Sequence, residues 1–211
     1  MNKNEATKLV NILRNTYPDA TCSLDFTTPF ELVVAVMLSA QCTDERVNKT
    51  TPTLFKRCKT IEDFANIDIN ELEDIIHPCG FYKNKAKNIK LCASQVLDNF
   101  NGIVPNTMEE LITLAGVGRK SANVILLEVF GIATGIAVDT HAKRISNLVG
   151  LSQEKTPEKI EQDLIKTFKK EDLKDINHLL VWHGRNTCIA RHPKCNSCSI
   201  NEFCKYYKTL K

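Results

Sequence analysis

Two glycines one residue apart, Gly116 and Gly118, separate two helix-forming segments, and that punctuation constrains the fold more than any other feature. An apolar segment, Leu111 to Leu114, runs into them; a second segment begins at Arg119–Lys120 and runs to Gly131. Glycine tolerates backbone angles that a Cβ resists, so the pair suits a tight hairpin between helices. Val117 is placed to turn inward as an apolar plug. The hairpin amides and the N-terminus of the second helix then face outward, where they favour an anion such as a DNA phosphate. Lys120 falls in the first turn of that helix. A glycine-rich turn also occurs in helical proteins of every kind, so the rest of the chain must decide.

The rest is helical as well. Residues 4–15 form a first helix, stopped at Tyr17–Pro18–Asp19. Thr28–Pro29–Phe30–Glu31 is a capping box with proline at the first helical position, and the helix it opens is apolar nearly all round and therefore buried. Thr43 or Asp44 caps the next helix, through about Phe55. Shorter helices follow near 61–66 and from Asn70 to His77. After the break at Pro78–Cys79–Gly80, a long helix runs from about Lys83 to Phe100, with Ala86, Ile89, Ala93, Val96 and Phe100 stepping by three and four. Thr107–Met108–Glu109–Glu110 is a second capping box. Helices at Thr140–Val149, after Thr156–Pro157–Glu158, and over 172–187 complete an all-α chain. A faint repeat sets Gly80–Phe81–Tyr82 and Ala86 against Gly116–Val117–Gly118 and Ala122, which points to a second, degenerate hairpin.

With 211 residues the chain has interior for one large domain or two lobes. A net charge of +3 permits nucleic-acid binding without arguing for it, so any basic surface must be local. The N-terminus is polar, with no secretory pattern, and the longest apolar run, Leu32 to Leu38, is too short to span a bilayer. The expectation is a soluble, cytoplasmic, monomeric protein with no membrane partner.

Nine cysteines divide unevenly. Cys22, Cys42, Cys58, Cys79 and Cys92 are scattered and read as small core residues. Cys188, Cys195, Cys198 and Cys204 form a C-x6-C-x2-C-x5-C set, four soft ligands among turn residues, which marks a metal site. Four thiolates suit tetrahedral zinc or an iron–sulfur cluster equally. The long gap carries Arg191 and Lys194, with Arg185 just before it. Pinned at both ends by ligands, this loop makes a rigid basic finger for phosphates. Trp182–His183–Gly184 reads as core packing.

Asp139 follows the apolar triplet Ile136–Ala137–Val138 and is well placed to cap the helix from Thr140. It can do more. A helix over 119–130 is roughly 18 Å long at about 1.5 Å per residue. The eight residues 132–139 can return at most about 27 Å, so the chain permits Asp139 to come back toward Lys120. The helix dipole and Arg119 disfavour the ammonium form of Lys120, and a neutral amine is the form that attacks carbon to make a Schiff base. His141 is a third candidate, or a packing residue.

LAGVGRKSAN, AVDTH, LSAQCTD, GFYKNKA and HGRNTC opening the cysteine set, in register from about Asp25 to Cys204, closely resemble the endonuclease III family of DNA base-excision glycosylases. The resemblance implies a six-helix barrel carrying the hairpin (24–132) and a second helical lobe (1–23 with 133–211) holding a [4Fe–4S] cluster, with damaged double-stranded DNA between them. It implies Lys120 as nucleophile and Asp139 as essential carboxylate. An oxidised pyrimidine is flipped out, Lys120 attacks C1′, the base leaves, and the Schiff base undergoes β-elimination 3′ to the lesion. Gln41 and Phe81 resemble the residues that fill and wedge the gap.

Three positions depart from the family pattern. Ala115 replaces the usual hairpin proline, Ser121 a common threonine, and Cys42 a usual alanine. Two other readings compete: a mismatch-specific glycosylase of the same superfamily, and a non-catalytic DNA-binding module. Lys120 and Asp139 together favour the bifunctional enzyme.

Overall fold

The computed structural model describes residues 1–210, which carry twelve α-helices and no β-strand among the described residues. The chain divides into two compact units, Ser23–Phe130 and Met1–Cys22 with Gly131–Lys211.

The first unit is organised on α2 (Pro29–Ser39), in which every residue from Phe30 to Leu38 is buried. Its start is fixed by the Thr28–Glu31 box: the Glu31 amide donates to Thr28 Oγ1 at 3.2 Å, and Glu31 Oε2 accepts from the Thr28 amide at 3.2 Å. Two further donors, the Thr27 amide and hydroxyl at 2.6 and 2.7 Å, satisfy this buried carboxylate. α3 (Asp44–Arg57) is capped by Thr43. α4 (Ile61–Asn66) and α5 (Ile69–Ile76) follow, capped by Thr60 and Asp68.

The long α6 (Tyr82–Phe100) packs against α4 and α5 through a face that includes Ala86, Ile89, Ala93 and Val96. Lys90 Nζ donates to the Ala65 carbonyl at 2.8 Å and to that of Ile67, closing the end of α4. α7 (Met108–Leu111) is a single turn; the Glu110 amide donates to Thr107 Oγ1 at 3.3 Å, but the Glu110 carboxylate accepts from the Thr107 hydroxyl at 2.7 Å instead of from its amide, so only half of the expected box forms. α8 (Arg119–Phe130) packs on α2 and ends one residue before Gly131.

The second unit encloses its own core, built from Leu9, Val10 and Leu13 of α1 (Lys3–Thr16), Ile145 and Val149 of α9 (Thr140–Val149), Leu164 of α10 (Pro157–Thr167), and Ile176 and Leu180 of α11 (Leu173–Asn186). Arg14 bridges Asp172 at 2.9 Å and Asp175 at 2.6 Å, tying α1 to the start of α11. Burying that much apolar surface at about 25 cal/mol per Å² is what holds short helices together that would not survive alone. A last turn, α12 (Lys205–Lys208), follows the cysteine segment; the sequence carried no signal for it.

Candidate functional site

The glycine hairpin forms as expected in outline and differs in one respect. Gly116 has φ +76°, an angle that strains any residue with a side chain, and a Cβ there would also crowd Asn88 Cβ at 3.1 Å. Gly118 has no left-handed angle, and a Cβ there would meet nothing within 4 Å. Its lack of a side chain serves no internal need; it leaves the backbone open to an approaching ligand. Val117 is 5% exposed and does plug the turn. The Gly118 carbonyl accepts from the Ala122 amide at 2.9 Å, which starts α8, and a helix does not consume the amides of its first turn. Arg119 and Lys120 are exposed there.

Two turns of the same unit hold non-glycine residues in the left-handed region: Gln41 at φ 55° and Phe81 at φ 48°. A third, Asn101, ends α6, where asparagine is at home. Gln41 and Phe81 have no such excuse, and strain of this kind collects where surroundings enforce it for a purpose. Phe81 is also 64% exposed. The repeat therefore holds only at its first glycine, Gly80 at φ 69° and Gly116 at φ 76°; Phe81 is left-handed where Val117 is not, and the side chains differ as well. Val117 points in and Phe81 points out.

Lys85 fastens the two turns. Its Nζ donates to the Leu38 carbonyl at 2.8 Å and the Cys79 carbonyl at 3.0 Å, and the residue is only 7% exposed. Burial pushes its ammonium below the ordinary lysine range. The core reading of the scattered cysteines holds for Cys58, Cys79 and Cys92, which are buried, but not for Cys22 and Cys42, which are only half-buried. Both lie in connections outside helices, where no apolar neighbour covers the whole side chain.

In the second unit Asp139 caps α9: its Oδ1 accepts from the Ala142 amide at 2.7 Å. His141, two residues on, lies against Gly184 of α11, where a Cβ would come within 2.6 Å of its Nδ1.

The four C-terminal cysteines line one hollow, together with Leu148, His183 and Ile200. Burial pushes the Cys188 and Cys198 thiols up, and the other cysteines of the set add to it. Four crowded thiolates need cationic compensation, so this donor set fits a metal group. Among the described residues no three of its ligand types converge as they would on a single ion. Zinc and an iron–sulfur cluster both accept four thiolates. The Thr187 carbonyl accepts from the Lys194 amide at 3.0 Å and closes the loop that exposes Arg191 and Lys194. Arg185 is exposed on the last turn of α11.

Residues 34–170 match the model of the HhH-GPD superfamily base excision DNA repair proteins. The chain is 48% identical over 202 residues to endonuclease III of Synechocystis sp., covering 96% of this chain and 92% of that one. It is 41% identical over 206 residues to endonuclease III of Escherichia coli, covering 98% and 97%. The chain belongs to the endonuclease III family. A solved non-covalent endonuclease III–DNA complex superimposes with a TM-score of 0.93 at 38% identity, covering all of this chain and 98% of that one. A trapped endonuclease III–DNA covalent intermediate matches with the same TM-score. A thermostable thymine-DNA glycosylase, at 20% identity and TM-score 0.85, shares the fold.

An endonuclease III is a base-excision DNA glycosylase with abasic-site lyase activity, and that identity makes the polar interior of this chain informative. Lys85 sits in GFYKNKA and reads as a surface lysine. Arg144 escapes notice too: it donates to the Gly184 carbonyl at 3.2 Å and to that of Cys188, fastening the end of α11 where the cysteine segment begins. His183 is buried at 1% exposure, with Nδ1 3.0 Å from Tyr17 Oη and Nε2 3.6 Å from Cys198 Sγ. Packing is therefore half of what His183 does. The only sequence signal is negative, a histidine beside the cysteine set with no solvent-facing pattern around it.

Proposed function

We propose that this chain excises oxidised pyrimidines from duplex DNA and cuts the strand 3′ to the lesion, with Lys120 as nucleophile and Asp139 as the assisting carboxylate. The observation that carries the reading is the exposed Lys120 in the first turn of α8, directly after a glycine that nothing inside the protein requires. A phosphate can approach the bare Gly118 backbone and hold the strand at that helix end. A relative 38% identical to this chain has been trapped as a covalent intermediate with DNA, and such an adduct needs a protein nucleophile.

The steps follow from the groups available. The target nucleotide leaves the stack, because C1′ is out of reach inside the duplex. Lys120 Nζ attacks C1′ as the C1′–base bond breaks and the base departs with a proton. Nζ gives up a proton, the C1′–O4′ bond opens with O4′ taking a proton, and the protonated Schiff base that results acidifies C2′; loss of a C2′ proton then breaks the C3′–oxygen bond, expels the 3′-phosphate and cuts the strand. Asp139, with one oxygen held by the cap, assists by taking the Lys120 proton or by facing positive charge on the sugar. Gln41 and Phe81 fill and wedge the duplex where the nucleotide has left, the strained backbone at both fixing their aim. His141, Gly116, Val117, Arg119, Arg185, Arg191 and Lys194 make the remaining DNA surface.

Cys188, Cys195, Cys198 and Cys204 would hold a [4Fe–4S] cluster, which supplies rigidity to the basic loop and a redox-active centre. On this reading Ser23–Phe130 is the hairpin unit and the remainder the cluster unit, the protein acts as a monomer, and it works at the nucleoid. The test is a duplex carrying one oxidised thymine. Release of the free base together with a 3′-unsaturated aldehyde end supports the reading; base release without strand cleavage would replace it with a monofunctional glycosylase.

A further inference from the structure

His183 is a buried imidazole on α11, and both its nitrogens have partners: Tyr17 Oη at 3.0 Å from Nδ1 and Cys198 Sγ at 3.6 Å from Nε2. Tyr17 Oη in turn lies 2.7 Å from Thr187 Oγ1. The Tyr17 and His183 rings meet edge to face, their centroids 5.8 Å apart.

We propose that His183 donates an N–H···S hydrogen bond to the Cys198 sulfur and thereby sets the redox potential of the cluster; the inference rests on the cluster reading above. A ligating thiolate can only accept a hydrogen bond, so the nitrogen that faces it carries the proton. That fixes the tautomer. With Nε2 protonated, Nδ1 must accept, which makes Tyr17 its donor, and the Tyr17 oxygen in turn accepts from Thr187. Every donor and acceptor in the relay is then used once, as a buried polar chain requires. A second partner of a ligand orients it and tunes the metal group. Hydrogen bonds to the sulfurs stabilise the more negative, reduced state and raise the potential. Apolar packing alone would be served by leucine or phenylalanine without the cost of burying an imidazole.

The test uses full-length protein purified with its iron: native, His183→Phe, His183→Gln and Tyr17→Phe. Iron content, terminal iron–sulfur stretches by resonance Raman in H2O and D2O, and the midpoint potential by film voltammetry are compared. Iron-free native protein would overturn the cluster reading itself. With the native cluster present, His183→Phe is expected to shift the midpoint to more negative potential and to lose the deuterium sensitivity of one terminal stretch. His183→Gln, which keeps a donor, is expected to recover part of both. Iron-loaded His183→Phe with native potential and native deuterium response would overturn the proposal and leave His183 as packing. If His183→Phe takes up no iron, His183→Gln and Tyr17→Phe decide: a negative shift in either supports the relay, and native potentials in both overturn it.

Discussion

Asp139 Oδ1 accepts the Ala142 amide proton at 2.7 Å, so the carboxylate proposed for chemistry is also the cap of α9. The two roles do not compete. Capping occupies one oxygen and fixes the rotamer, and it is the charge, not the hydrogen bond, that the proposed reaction would use.

Asparagine caps as well as aspartate, and alanine does not. Asp139→Asn should therefore keep stability within a few tenths of a kcal/mol while losing most base excision, whereas Asp139→Ala should lose about 1 kcal/mol of stability as well. Thermal unfolding and single-turnover excision, measured on both variants, check this. An Asp139→Asn enzyme with native turnover would leave only the cap.

A Cβ at residue 184 would lie 2.6 Å from His141 Nδ1 and 2.8 Å from its Cβ, atoms that cannot swing away as a long flexible end can. Gly184→Ala should cost about 1–3 kcal/mol by overpacking. His141→Gly removes all of these atoms, so the double variant should be more stable than the sum of the single losses predicts. A urea-denaturation double-mutant cycle measures that coupling.

Lys85→Met keeps the volume and removes both hydrogen bonds, to the Leu38 carbonyl at 2.8 Å and the Cys79 carbonyl at 3.0 Å. Leaving buried carbonyls unpaired should cost about 3 kcal/mol. Because those carbonyls lead into the turns of Gln41 and Phe81, affinity for duplex DNA should fall with stability. Native affinity in a folded variant would show that the two turns hold their form without the lysine.

Burial pushes the Cys92 thiol up to about 12 from an ordinary value of 9.0. Its folded pKa is thus above the unfolded one. Its contribution to stability is complete below about pH 9 and is lost as pH rises toward 12, because the unfolded chain ionises first. Cys92→Ala should flatten that alkaline fall in stability, at the expense of a small cavity; melting temperatures from pH 8 to 11 provide the check.

Much of the frame was legible because it is local. Thr28–Glu31, Asp139 before Thr140 and Gly150 after Val149 all mark helix ends where the structure has them, since a cap is satisfied within four residues. The cysteine spacing likewise carries its own meaning. What stayed hidden depends on partners remote in the chain. Lys85 becomes an interior residue only through a carbonyl 47 positions earlier, and His183, expected in the core, gains its polar role only through a tyrosine 166 positions away. Gly118 was misread for a different reason: composition cannot separate a glycine needed for its angle from one needed for its bare surface. Phe81 follows a left-handed glycine as Val117 does, and only burial shows that Val117 points in while Phe81 points out.

The central claim is that Lys120 forms the covalent bond to DNA. Borohydride trapping on a duplex with one oxidised thymine tests it most directly, comparing native protein with Lys120→Ala. The account predicts a protein–DNA adduct from the native enzyme and none from the variant, with duplex binding retained in both. An adduct of native yield from Lys120→Ala would contradict it and assign the nucleophile elsewhere.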